Sequence, residues 1–153
     1  MKQALHIPVA LERCIQLLAP AFENSKHPVL VDATLGLGGH SYELLKRFSN
    51  LQIIAIDRDA KAIEIAKTKL APFADRITFN HAVYSEITDV LARENVSEID
   101  GALFDLGVSS MQLDFEERGF SYSRDADLDM RMDQEQTLTA QIIVDTYDKT
   151  ELV

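Results

Sequence analysis

Four short apolar runs recur along this chain of 153 residues and restrict its fold more than any other feature. They occupy residues 29–31, 53–56, 77–79 and 102–104. Each run is bounded by polar residues and is mostly continuous rather than alternating, which is typical of strands covered on both faces. We therefore interpret the runs as buried strands of an α/β protein.

Amphipathic segments lie before the first run and between the runs. Their apolar spacing predicts helices at residues 9–18, 42–48, 59–70 and 85–94. Asp59 is placed to cap the third of these helices. Strands that alternate with helices through short links form right-handed crossovers and a parallel sheet. We predict the strand order 3-2-1-4, with residues 29–32 in a central strand and the fourth strand at an edge.

The composition is that of a soluble globular protein, with 46% hydrophobic and 26% charged residues. No apolar run approaches the roughly 18 residues of a membrane span, and the N-terminus has no basic-then-apolar layout of a secretory signal. The single cysteine, Cys14, excludes an intrachain disulfide and a cysteine-rich metal site. We expect a cytoplasmic protein with no membrane partner.

The net charge of -10 argues against tight binding of a nucleic-acid backbone by this chain alone. A nucleic-acid substrate would then require a basic surface that lies elsewhere.

A glycine-rich turn follows the first predicted strand. Residues 32–40 read Asp-Ala-Thr-Leu-Gly-Leu-Gly-Gly-His, and Asp57 ends the second strand, 19 residues after Gly38. Glycines at such a turn permit a tight bend and close approach of a ligand to the main chain. An acid at the end of the second strand accepts hydrogen bonds from ribose hydroxyls. Together they predict an adenosine site at the carboxyl edge of the sheet.

The residues around the turn favour one adenosine cofactor over another. A dinucleotide site needs the G-x-G-x-x-G spacing, and this turn does not complete it with a third glycine before Tyr42. Asp32, just before the turn, would repel a pyrophosphate but suits the ammonium or sulfonium of S-adenosylmethionine. The alternative is an NAD-dependent oxidoreductase or a non-catalytic nucleotide-binding module.

A long segment without clear periodicity, residues 105–133, follows the fourth strand. Such segments inside compact domains are usually functional or disordered, and the Leu, Phe and Met residues here favour an ordered active-site floor. Four of its aspartates mimic the spacing of a calcium loop: Asp125, Asp127, Asp129 and Asp133. Because Met130 and Gln136 replace the required glycine and glutamate, we predict no metal site.

Six motifs together resemble the bacterial RsmH (MraW) methyltransferases. They are His6-Ile7-Pro8-Val9 and the segments 32–40, 57–59, 105–114, 118–121 and 128–133. They span nearly the whole chain in the right order. One departure is Asp125-Ala126-Asp127, which replaces the usual Asp-Gly-Pro.

The resemblance implies a Rossmann-like methyltransferase fold and an enzyme that methylates the exocyclic N4 amine of a cytosine in small-subunit ribosomal RNA. It implies S-adenosylmethionine as the cofactor. The cofactor residues that it implies are Gly38, Gly39, His40, Asp57, Tyr84, Asp105 and Gln112. Tyr84 stands where the family usually has phenylalanine and would pack on the adenine.

The resemblance also implies a C-terminal truncation, because family members run about twice as far, with a helical domain inserted after the fourth strand. We expect residues 1–108 to form the N-terminal part of the methyltransferase domain. Residues 109–153 would form the active-site loop and the start of the helical insertion, with a helix at 139–152. We expect such a fragment to be inactive alone and prone to self-association along its exposed fourth strand.

Methyl transfer from a sulfonium is an in-line displacement, so positioning is the main catalytic task. A hydrogen-bond acceptor would orient the weakly nucleophilic amine, and Asp105 is placed for this role, with Ser109 or Ser110 as second candidates. Methylation of the ring carbon would require a nucleophilic cysteine. Cys14 lies in the first predicted helix and no cysteine follows the fourth strand, which argues against that reaction.

Overall fold

A computed structural model describes residues 8–109, 112–113, 115–121, 123 and 125–152. These residues fall into two compact units, and the division along the chain lies between Leu106 and Gly107. Within the described residues, no helix combines the length and the apolar character that crossing a membrane requires.

The first unit is an α/β sandwich. Its strands are β1 (Val29–Asp32), β2 (Gln52–Asp57), β3 (Ile77–His81) and β4 (Gly101–Leu103), and its helices are α1 (Leu11–Asn24), α2 (Gly39–Arg47), α3 (Ala60–Leu70) and α4 (Ile87–Arg93). All strand pairs are parallel and the order is β3-β2-β1-β4. The predicted fold class and strand order are therefore confirmed.

Two apolar clusters cover the two faces of the sheet, as the continuous runs predict. Neighbouring residues of one strand, such as Leu30 and Val31, enter opposite clusters because side chains alternate along a strand. The cluster around Leu30 includes side chains of α1, α2 and α3, and the cluster around Val31 includes Val90 of α4. Burial on both faces leaves the strand ends as the places where polar groups can meet a ligand.

Helix α1 differs from its prediction at both ends. It begins at Leu11 and continues through Pro20 to Asn24, whereas the pattern predicted residues 9–18. A proline inside a helix removes one backbone hydrogen bond. Phe22 explains why the helix nevertheless continues, because its buried ring packs edge-on against Phe48, with 5.2 Å between the ring centroids.

The second unit is held together by two arginines. Arg118 is almost fully buried, and its Nη2 donates to the carbonyl oxygens of Arg131 and Met132 at 3.2 and 2.8 Å. Arg131 in turn donates from Nη2 to Oδ2 of Asp129 at 2.7 Å, and this pairing lowers the pKa of Asp129 to about 2. The family motifs at 118–121 and 128–133 thus serve the internal architecture of this unit.

The unit also contains helix α5 (Ala140–Thr146), which is shorter than the predicted 139–152. Thr139 caps its start by accepting a hydrogen bond from the Ile142 N–H. After Thr146 the chain becomes extended at Tyr147, and Asp148 accepts hydrogen bonds from the N–H groups of Thr150 and Glu151. Asp148 therefore begins a new turn instead of continuing the helix.

Candidate active site at the carboxyl edge of the sheet

The turn between β1 and α2 is hydrogen-bonded to both neighbouring strands. On one side, the Leu35 N–H donates to the Ile56 carbonyl at 3.0 Å and the Gly36 N–H to Oδ2 of Asp57 at 2.7 Å. On the other side, Thr34 Oγ1 accepts the Asp105 N–H at 2.7 Å. The turn therefore brings Asp57 and Asp105, two predicted site residues, to one edge of the sheet.

The Asp57 carboxylate accepts hydrogen bonds from the protein backbone and still has acceptor positions left for a ligand. Besides the Gly36 N–H, it accepts the Asp59 N–H on Oδ1 at 2.8 Å. A carboxylate offers about four acceptor positions, so both oxygens can accept further hydrogen bonds. Partial burial raises the pKa of this carboxyl above its usual value.

Asp32 is a buried residue that stabilises the turn through hydrogen bonds. Its side chain is 1% exposed, and its oxygens accept hydrogen bonds from the Thr34 N–H at 3.3 Å and from the Ser41 hydroxyl at 2.6 Å. Burial raises the pKa of this carboxyl to about 6, although the hydrogen bonds oppose the shift. From the sequence we expected Asp32 to interact with the positive charge of a ligand. In the structure it instead accepts a hydrogen bond from Ser41 and so connects the turn to α2.

His40 lies in the first turn of α2, close to Asp105. Its Nε2 is 3.0 Å from the carbonyl oxygen of Val9, and since a carbonyl only accepts, Nε2 carries the hydrogen. The other ring nitrogen, Nδ1, is 3.9 Å from Oδ2 of Asp105. Asp105 itself has a half-exposed side chain, so its carboxylate can meet a ligand.

Gly38 is favoured by its backbone conformation, and Gly39 by close packing within the protein. Gly38 has a φ of +70°, and a β-carbon there would lie 2.7 Å from Cδ1 of Leu70 on α3. A β-carbon on Gly39 would lie 2.5 Å from Cγ of Pro8. The sequence interpretation assigned the glycines to ligand approach, and the structure adds that these two allow α3 and residue 8 to pack closely on the start of α2.

Tyr84 lies in a short 3-10 helix, Tyr84–Glu86, that follows β3. Its ring is half exposed and contacts the ring of Phe104, the residue after β4, with 6.1 Å between the centroids. Sequence reasoning treated Phe104 only as part of a strand. Its place beside Asp105 in the chain was the available signal.

Gln112 and Ser109 belong to the second unit and pair with each other. The Ser109 N–H donates to Oε1 of Gln112 at 3.0 Å, and the Gln112 N–H donates to the Ser109 hydroxyl oxygen at 3.3 Å. This reciprocal arrangement is a capping box, which the Ser-x-x-Gln spacing could have predicted. A cofactor contact for Gln112 stays a prediction, and Ser110 lies outside the described residues.

Among the residues that the structure describes, no three His, Cys, Asp or Glu side chains converge as metal ligands do. Of the calcium-like aspartates, Asp129 is paired with Arg131 and Asp133 accepts the Glu135 N–H. These contacts account for both residues within the loop itself.

The strand order, the glycine turn and the acids at the strand ends define a Rossmann-like α/β fold with a candidate nucleotide site. The chain matches the MraW methylase family over residues 3–153 and belongs to that family. A solved structure with the same fold is an rRNA methylase from Streptococcus thermophilus, at a TM-score of 0.52 and 20% identity, which covers 67% of this chain and 57% of that one.

Three proteins named ribosomal RNA small subunit methyltransferase H illustrate the similarity. That of Pseudarthrobacter chlorophenolicus is 55% identical over 97% of this chain and 46% of its own length. That of Streptomyces avermitilis is 52% identical over 100% of this chain and 48% of its own length. That of Mycolicibacterium smegmatis is 57% identical over 94% of this chain and 39% of its own length. The chain therefore spans about half the length of the curated relatives that it matches.

The packing of Gly39 on Pro8 yields a testable prediction. Gly39→Ala should destabilise the protein by about 1–3 kcal/mol, because the new methyl group overlaps the rigid proline ring. Pro8→Ala removes the overlapping Cγ and leaves the nearest atom, Cβ, at 3.6 Å. The double variant Pro8→Ala/Gly39→Ala should therefore recover most of the loss in urea unfolding. Additive effects of the two substitutions would contradict this packing argument.

The burial of Asp32 predicts a pH-dependent stability. Its folded-state pKa of about 6 lies above the ordinary 3.8, so its contribution to stability is present below pH 4 and lost as pH rises through 6. The loss is about 3 kcal/mol for two pKa units. Asp32→Asn removes this titration, so the stability of the variant relative to the wild type should rise between pH 4 and 7. Urea unfolding at several pH values measures it, and a constant difference would refute the assignment.

Proposed function

We propose that this chain supplies the cofactor-binding and amine-facing part of a methyltransferase that uses S-adenosylmethionine. The proposed reaction is methylation of the N4 amine of a cytosine in small-subunit ribosomal RNA. The observation that carries the proposal is the half-exposed carboxylate of Asp105, tied by its own N–H to the same turn that binds Asp57. Family membership supports it.

The residues at the sheet edge fit the proposed cofactor. The remaining acceptor positions of Asp57 suit the two ribose hydroxyls. The first N–H groups of α2, at Gly39 and His40, have no partner within the helix and suit a carboxylate. Tyr84 offers a ring to the adenine. A cofactor contact of Gln112 is implied by the family resemblance.

When bound, S-adenosylmethionine supplies an electrophilic methyl group. The chain's own task is then to orient the amine, whose lone pair is delocalised into the cytosine ring. Asp105 would accept a hydrogen bond from the amine and so direct the nitrogen lone pair toward the methyl group. It would also take the amine proton when the methyl group passes from sulfur to nitrogen and the sulfur keeps the electron pair of the broken bond. His40 lies beside Asp105, with its Nδ1 3.9 Å from Oδ2 of the carboxylate.

The charge of the chain bears on how the RNA is bound. At -10 the described surface has little attraction for phosphates, so we assign phosphate binding to basic groups outside these 153 residues. The target base must be unstacked to reach a carboxylate at a strand end. With such a substrate, we expect the reaction to take place in the cytoplasm.

Cofactor choice can be tested by calorimetry with S-adenosylmethionine and NAD as competing ligands. We expect the chain to bind the methyl donor, with Asp57→Ala weakening binding by about 1.5–3 kcal/mol, the range for hydrogen bonds to a charged group. Asp75→Ala is the matched control, because Asp75 is an exposed carboxylate just before β3, at the opposite edge of the sheet. Preferential binding of NAD, or unchanged affinity in a folded Asp57→Ala variant, would contradict the assigned site.

The reaction can be tested in a hybrid in which this chain replaces the matching segment of the 57% identical Mycolicibacterium smegmatis relative. With a labelled donor and small ribosomal subunits, we expect N4-methylcytidine as the product. Asp105→Asn should lower turnover by about 100-fold or more, the usual cost of losing a proton acceptor. Formation of 5-methylcytidine, or full turnover by the Asp105→Asn hybrid, would refute the proposed chemistry.

A further inference from the structure

Two large aromatic side chains are exposed next to each other in the first unit. Tyr84 is 51% exposed and Phe104 is 48% exposed. Their rings meet edge to face, with 6.1 Å between the centroids and 80° between the planes. The pair therefore presents two adjoining aromatic surfaces to solvent.

The strand order determines where this pair lies. Tyr84 follows β3 and Phe104 follows β4, and these strands are the two edges of the sheet. Three strand spacings of about 4.8 Å separate them, or about 14 Å. Because the rings are nevertheless in contact, the segments that follow β3 and β4 converge across the two central strands, β2 and β1. The ends of these two strands carry Asp57 and the glycine turn.

The face of the sheet can also be assigned. Ala102 of β4 is in register with Val31 of β1, and Val31 belongs to the cluster that includes Val90 of α4. Side chains alternate along a strand, so Phe104 continues on the face of Ala102. Tyr84 stands at the start of the segment that leads into α4. Both rings therefore lie on the α4 side of the carboxyl edge.

We propose that Phe104, together with Tyr84, forms an aromatic corner that receives the adenine ring of the cofactor. This inference rests on the proposed function and adds Phe104 to the site as a residue that selects for a planar base. Two perpendicular rings suit this task, because a base stacked on the face of one ring meets the other at its edge. The ribose of the same nucleoside would then reach the carboxylate of Asp57.

The first test compares affinities for S-adenosylhomocysteine, a stable ligand with the same adenosine. Phe104→Leu keeps an apolar side chain but removes the ring, and it should weaken binding about tenfold, within the range for base–aromatic stacking. Phe104→Tyr retains the ring and should bind within about threefold of the wild type. Leu17→Ala is the control, since Leu17 is 63% exposed on α1. Equal affinity of Phe104→Leu and the wild type would overturn the proposal.

A second test uses the absence of tryptophan from the sequence. Phe104→Trp introduces a single fluorophore at the proposed corner, and stacking of adenine on its ring should quench and shift its emission. Leu17→Trp serves as the reporter control and should not respond. An unchanged Phe104→Trp spectrum at saturating ligand would show that Phe104 faces another part of the protein instead.

Binding by the wild type distinguishes a failure of the proposed function from a failure of the aromatic corner alone. If the wild-type chain binds neither S-adenosylmethionine nor S-adenosylhomocysteine, the proposed function fails, and the aromatic corner fails with it. If the wild type binds both ligands and the Phe104 variants bind and fluoresce without change, only the aromatic corner is refuted.

Discussion

The hydrogen bonds that tie the turn after β1 to the strands on both sides are the constraint on which the site depends. The turn donates to the Ile56 carbonyl and to the Asp57 carboxylate on one side, and it accepts from the Asp105 N–H on the other. In a parallel sheet the strand ends lie at one edge, but nothing in the sheet itself connects them to one another. Here the turn joins them, so that a shift of the turn would move both acidic groups at once.

Several residues of the glycine-turn motif serve the protein rather than a ligand. Asp32 is buried and connects the turn to α2 through its hydrogen bond from Ser41. The same burial raises the pKa of its carboxyl group. Gly38 and Gly39 leave room for Leu70 and Pro8. The candidate site thus combines a buried polar support with three partly exposed groups, Asp57, Asp105 and Tyr84, and such a support would keep a ligand-binding turn rigid.

The second unit applies the same principle in a segment with little regular structure. The backbone carbonyls of residues 131 and 132 are satisfied by the guanidinium of Arg118, and Asp129 is satisfied by Arg131. Buried backbone groups outside helices and strands need such partners. Charged residues that looked like candidate ligands along the sequence are therefore largely engaged in the unit's own architecture.

The sequence by itself determined the sheet, its order and the edge on which the polar residues meet. Continuous apolar runs can only be buried on both faces, and the alternation with helices leaves a parallel arrangement. It also determined the cap of α3, where Asp59 accepts the N–H groups of Lys61 and Ala62, because capping is a local interaction. Other features depended on contacts between residues distant in the chain. The packing of Phe22 on Phe48 stabilises α1 beyond Pro20. Leu70 and Pro8 pack closely on Gly38 and Gly39, and the ring of Tyr84 contacts that of Phe104. Only the tertiary structure decided these, because the spacing of residues along a chain does not specify which surfaces meet when it folds.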